Sequence, residues 1–163
     1  MDSPLCSFNK QKAFTLIELV MTILLLGILA VSAMPRFFDI TSFQQRGFFD
    51  ETLNAMHYAQ KLAIASGCNV QFRITANRYQ LNRPAASNRS QCKSISTGDF
   101  SQNVIRPGSG ESTYQGSQSG VSLSDVTLYF HAKGNASKDV SISVGARQIT
   151  VIAATGFIYD STP

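Results

Sequence analysis

From Phe14 to Met34 apolar residues follow one another almost without interruption, and Glu18 is the one charged side chain among them. At about 1.5 Å of rise per residue such a run makes a helix roughly 30 Å long, the thickness of a bilayer core. A lone carboxylate in hydrocarbon costs on the order of 3 kcal/mol at the helix centre, so Glu18 requires a partner or a position near the interface. Past Pro35 the pattern changes to that of a half-buried helix. Phe49, Leu53, Met56, Ala59 and Ala63 recur at spacings of three and four, while Arg46, Asp50, Asn54, His57 and Lys61 fill another face. Gly67 follows as a C-terminal cap. The two runs predict one long helix from Phe14 to about Ser66. Gly27 and Pro35 weaken it locally, where bending or partial melting is expected.

Beyond Gly67 the period drops to two. Val70, Phe72 and Ile74 alternate with Asn69, Gln71 and Arg73, and residues 75–77 turn the chain into a second strand carrying Tyr79 and Leu81. This predicts an antiparallel hairpin whose apolar face covers the helix. From Pro84 to Gly120 the chain is rich in Ser, Gly, Asn and Gln, which predicts a long loop holding at most one short irregular strand. The strand-like runs 121–123, 126–130, 140–144, 148–152 and 157–159 then read as a β-meander, with tight turns at 133–135 and 145–147.

The residues ahead of the apolar run sharpen the picture. The leader 1–13 is short and polar, ends in Lys10 and Lys12, and no small-x-small cleavage site follows the apolar run. Any cut is expected before the apolar segment rather than after it. Lys12-Ala13-Phe14-Thr15-Leu16-Ile17-Glu18, followed by the apolar run with Gly27 and then Pro35, resembles the N-terminus of type IV prepilins and type II secretion pseudopilins.

The resemblance implies that a membrane-embedded prepilin peptidase cuts between Ala13 and Phe14 and methylates the new amino group of Phe14. Glu18, fifth in the mature chain, would meet that amine on a neighbouring subunit. The family usually has Gly before the cut, so Ala13 implies slower cleavage. The implied organisation is a leader at 1–13, a transmembrane and filament-core helix at 14–35, and a periplasmic or extracellular globular domain at 36–163. The fold class is α+β and pilin-like: a long N-terminal helix, membrane-embedded in its first half, packed on antiparallel sheet in its second. Implied partners are the prepilin peptidase, other major and minor pilins or pseudopilins, and the inner membrane before assembly, in a Gram-negative bacterium.

Cys6 would leave with the leader, so the mature chain keeps two cysteines, Cys68 and Cys92, in a domain placed outside the cytoplasm. A Cys68–Cys92 disulfide is expected there. A second, looser resemblance runs through Leu128-Tyr-Phe-His-Ala-Lys-Gly134, Ile142, Arg147-Gln-Ile-Thr-Val151 and Thr155-Gly156. These are similar to the GspH/FimT-like branch of minor pilins and pseudopilins.

No enzyme, cofactor or metal site is expected. His57 and His131 lack the second His or Cys that metal or nucleophile chemistry needs, and both read as solvated surface groups. Asp125, Asp139 and Asp160 read as turn residues rather than calcium ligands. The formal net charge of +4 is too small by itself to imply nucleic acid. Between Glu51 and Asp99, however, no acidic residue occurs, while Lys61, Arg73, Arg78, Arg83, Arg89 and Lys93 do. Arg73 and Arg78 are expected on one outer face of the hairpin, as a basic stripe able to bind phosphates or DNA. Similar FimT-like DNA receptors carry arginines around a C-terminal glycine, and here that stretch reads Thr155-Gly156-Phe157-Ile158, without one.

The expected function is a minor pilin acting in assembly, priming or the tip of a type IV pilus, as in pili of the mannose-sensitive haemagglutinin kind. A tip pseudopilin of type II secretion and a DNA-uptake minor pilin are the alternatives.

Overall fold

The computed structural model describes the backbone of residues 14–37, 40–85 and 92–163, with their side chains outside 31–41 and 97. The leader 1–13, Ala13 included, and Arg89 lie outside the described residues. The chain divides into two compact units after Ile40.

In the first unit, helix α1 runs from Leu16 to Phe37 and includes both Gly27 and Pro35. Its start is set by Thr15, whose Oγ1 accepts from the amide of Glu18 at 3.3 Å. Thr15 at the cap with Glu18 three residues on is the sequence signature of a capping box, and a carboxylate in the first turn complements the helix dipole. Among the described residues no helix is long and apolar enough to cross a membrane. The described side chains of α1 end at Ala30, so residues 31–35 of the expected span fall outside them.

The second unit is built on helix α2, Ile40–Ser66, which Gly67 ends in the left-handed conformation at φ 67°. Phe49, Met56, Ala59 and Ala63 are buried, and Phe48, Thr52 and Ala55 widen the stripe. The buried hydroxyl of Thr52 donates to the Phe48 carbonyl at 2.8 Å, which removes the cost of a stranded polar group. The three alanines let sheet approach the helix closely.

Strands β1 (Val70–Thr75) and β2 (Arg78–Arg83) form the hairpin. Ala76 and Asn77 take the left-handed conformation of a two-residue hairpin turn, at φ 52° and 58°. Phe72 faces Leu81 and Ile74 faces Tyr79, all four buried toward the helix. The long loop contributes β3 (Gln102–Asn103) and β4 (Gln115–Gly116), both paired with β2.

The expected meander is corrected in two places. Strand β5 (Val126–Phe130) pairs with β1, placing Leu128 beside Phe72, so it closes the hairpin sheet in the order β3-β2-β1-β5. Residues 121–123 form no strand and make a single bridge, Leu123 to Val144. The meander proper is the three-stranded sheet β6 (Val140–Val144), β7 (Arg147–Ile152) and β8 (Phe157–Asp160). Its inner residues Ile142, Val144, Ile149, Val151 and Ile158 join those of the first sheet in one buried core around α2. Burying a Leu, Ile or Phe there contributes about 1.5–3 kcal/mol.

Neighbouring residues of α2 reach different sheets. Phe48 packs 6.0 Å from the ring of Tyr79 on β2, whereas Phe49 lies beneath the guanidinium of Arg147 on β7, 3.7 Å from the ring centre.

Candidate functional site

The first candidate surface is α1 itself. Its large apolar side chains between Leu16 and Leu29 are 37–81% exposed on every side of the helix. A helix apolar all round is stable in lipid or among like helices, and not as the face of a monomeric domain in water. Phe14 and Glu18 both sit at its N-terminal end, exposed.

The second is the basic hairpin, whose expected members do not share one patch. Arg73 and Arg78 do lie on the outer face, since Arg73 opposes Gln80 and Thr75 opposes Arg78. With Thr75 and Gln80 they line a depression of about 250 Å³. Arg73 Nε donates to Thr75 Oγ1 at 3.1 Å, and neither arginine forms an ion pair among the described residues. Arg83, in contrast, alternates with Tyr79 and Leu81 and faces the helix side, beside Tyr58 and Leu62 of α2. Lys93 is exposed beside Cys92, in the segment tied to the end of α2.

That tie is the Cys68–Cys92 disulfide. Around it, the Asn69 amide donates to the Cys92 carbonyl at 2.7 Å and the Asn69 side chain to the Ser94 carbonyl at 3.0 Å. His131 Nδ1 lies 3.2 Å from Asn69 Oδ1, so this histidine is engaged and half-buried rather than solvated. His57 is also half-buried, and burial, followed by the charge of Lys61, holds it below its ordinary value. On the same side Phe100 packs 5.1 Å from Tyr129, whose hydroxyl accepts from Gln71 at 3.4 Å. The loop therefore covers an outer-face residue, Gln71, that alternation alone marks as exposed.

A third cluster could not be read from the sequence pattern. Tyr79 OH donates to Glu51 Oε1 at 2.7 Å, and Arg106 from the long loop donates to Tyr79 OH at 3.0 Å and to Glu51. The Arg106 guanidinium stands 4.8 Å over the ring of Tyr114, which stacks on Tyr58 at 5.1 Å. Burial first, then the bond to Glu51, raises Tyr79 far above the ordinary tyrosine range, and the same carboxylate raises Arg106. At these values neither group changes charge near neutral pH, so the cluster is a clamp holding the loop on α2 and β2. Gly116 completes it, because a Cβ there would lie 2.5–2.6 Å from the Tyr79 ring.

No group of three or more His, Cys, Asp or Glu able to hold a metal occurs among the described residues. Asp139 accepts from the amide of Ala153 at 2.7 Å, and Asp160 accepts from Arg147 and from Thr162. The bonds from Thr162 hold Asp160 below the usual carboxylate range, with Arg147 a smaller contribution.

Comparison with known proteins places these features. The prokaryotic N-terminal methylation motif matches residues 8–34. The type IV narrow pilus major component PilA5 of Thermus thermophilus is 41% identical over 54 residues, 33% of this chain and 47% of its own. The chain thus spans about half the length of that curated relative. The minor pseudopilin EpsH of the type 2 secretion system of Vibrio cholerae matches in structure with a TM-score of 0.50 at 14% identity, over 75% of this chain and 96% of its own. The chain thus carries the prokaryotic N-terminal methylation motif at its N-terminus and shares its fold with a minor pseudopilin.

Proposed function

We propose that this chain is a filament subunit, a minor pilin made as a precursor, cut before Phe14 by a prepilin peptidase and methylated there. The leader 1–13 and helix 14–35 hold it in the inner membrane with the globular domain 36–163 in the periplasm. It then leaves the bilayer into a type IV pilus or a type II secretion pseudopilus. The observation that carries the reading is α1: a helix exposed and apolar on every side, with one carboxylate near its N-terminus. Lipid satisfies the apolar surface before assembly, and neighbouring helices satisfy it afterwards.

Glu18 supplies the register. Paired with the free amine of Phe14 on the next subunit, its charge has a partner in a dry bundle, and one stacking position is favoured over its neighbours. Glu18→Ala should leave the leader cleaved and remove the chain from sheared filaments. Normal incorporation of that variant would sink the pairing. Pilus and secretion roles separate by deleting this chain alone: loss of surface pili assigns it to pilus assembly or priming, and retained pili with blocked secretion assign it to the secretion tip.

A second reading, DNA binding on the hairpin, draws on Arg73 and Arg78, which share the outer face without an ion-pair partner among the described residues. It predicts salt-sensitive retardation of DNA, weakened by Arg73→Ala or Arg78→Ala. No retardation at about 50 mM salt, where phosphate contacts are strong, would end it.

A further inference from the structure

Among the described residues, the edges of strands longer than two residues are covered with one exception. The free side of β5 is capped by the segment after it, where Ser137 N donates to Tyr129 O at 2.9 Å and His131 N to Asn135 O at 2.8 Å. The free side of β6 is capped by residues 122–124, through Ser124 N to Ser143 O at 3.2 Å and Gly145 N to Ser122 O at 2.8 Å. β2 carries β3 and β4. Among the described residues, β8 has no backbone partner beyond β7, and it is the one uncovered edge strand longer than two residues.

β8 also lacks the devices that blunt an open edge. It holds no lysine and no proline, and its one charge, Asp160, is engaged by Arg147. Instead it presents Phe157 and Tyr159, 57% and 37% exposed and stacked at 5.5 Å, beside Ile152 at 39%. Since Ile152 opposes Phe157, all three lie on one outer face. Unpaired backbone groups along such a strand are complementary to an extended polypeptide, and the aromatic row fits apolar side chains at alternate positions.

We propose that β8 receives, by strand addition, an extended uncharged segment of a neighbouring subunit that is not a second copy of this chain. The inference rests on the filament reading above. The exclusion of a second copy follows from symmetry. Two β8 edges pair with each other antiparallel only about a two-fold axis, whereas filament subunits all point the same way and meet through unlike surfaces. A neighbour of identical sequence would have to offer another edge, and among the described residues its other long edges are already covered.

The experiment uses the full chain in cells that assemble the filament, with photoreactive p-benzoylphenylalanine in place of Tyr159 or, separately, of Leu24 in α1. The expected result is an adduct at Tyr159 whose peptides belong to a different subunit and map to an extended, uncharged segment. Phe157→Lys, at an exposed position, should abolish that adduct while leaving the Leu24 adduct intact. An adduct of two copies of this chain, or one mapping to a helix, would overturn the proposal. So would capture at Leu24 without capture at Tyr159, which leaves the filament reading standing. Capture at neither position would remove the filament reading, and the proposal with it.

Discussion

The side-chain amide of Gln60 on α2 donates to the carbonyl of Gly156 at 2.9 Å, and to that of Gly134 at 2.8 Å. One polar residue thereby fastens the turn after β5 and the turn between β7 and β8 to the helix. The packing is close enough that a Cβ on Gly156 would stand 1.9 Å from the Gly134 carbonyl oxygen and 2.6 Å from Gln60 Nε2.

Gly156→Ala is therefore expected to destabilise the globular domain by about 3 kcal/mol or more. The clash is with backbone, and the φ of 67° adds strain for any L side chain. Gln60→Ala leaves both carbonyls without this donor and is expected to cost about 1–3 kcal/mol. Thermal or denaturant unfolding checks both. A near-neutral Gly156→Ala would mean that the two turns are not in contact.

The clamp of Glu51, Tyr79 and Arg106 should control the long loop more than global stability. The ion pair is 27% and 38% exposed, so its own contribution is modest after solvent screening. Arg106→Ala is expected to leave the unfolding midpoint nearly in place while limited proteolysis within 105–113 accelerates several-fold. Tyr79→Phe removes the bridging hydroxyl and should cost about 1–2 kcal/mol. Unchanged proteolysis in Arg106→Ala would show that the loop is held elsewhere.

Reducing the Cys68–Cys92 bond, which spans a sequence separation of 24, should lower stability by about 3 kcal/mol through freedom regained by the unfolded chain. It should also release the segment around Ser94, whose carbonyl is held by Asn69. Hydrogen exchange at 92–99 is the readout, with faster exchange there than in β1 expected on reduction.

His57 makes stability depend on pH. Burial and Lys61 lower its folded value below 6.5, so between that value and 6.5 the unfolded chain binds more protons. Stability is expected to fall as pH drops below about 6.5, levelling off beneath the folded value. His57→Gln should flatten this step, and Lys61→Ala should reduce it. NMR titration of the His57 ring checks the direction.

Elements governed by local pattern were legible in the sequence, and pairings governed by distance were not. The spacing of Phe49, Met56, Ala59 and Ala63 marks the buried face of α2, Gly67 marks its end, and alternation from Val70 to Leu81 marks the hairpin. Alternation at 126–130 marks a strand but carries no information on its partner, so its pairing with β1 required the structure. The same limit explains Arg83. Its place in a run of basic residues implies one stripe, yet its parity with Tyr79 and Leu81 turns it to the opposite face from Arg78. Arg106 meets Glu51 across 55 residues, and no spacing rule brings an arginine in a Ser/Gly-rich loop to a helix carboxylate so distant.

The proposed fate of this chain is cleavage before Phe14 and entry into a filament through α1. Mass spectrometry of the N-terminal peptide, from filaments sheared off producing cells, tests it most directly. The account predicts a chain beginning at N-methylated Phe14 within the filament fraction. A chain that still begins at Met1 and stays in the membrane fraction, in cells with an active prepilin peptidase, would contradict it.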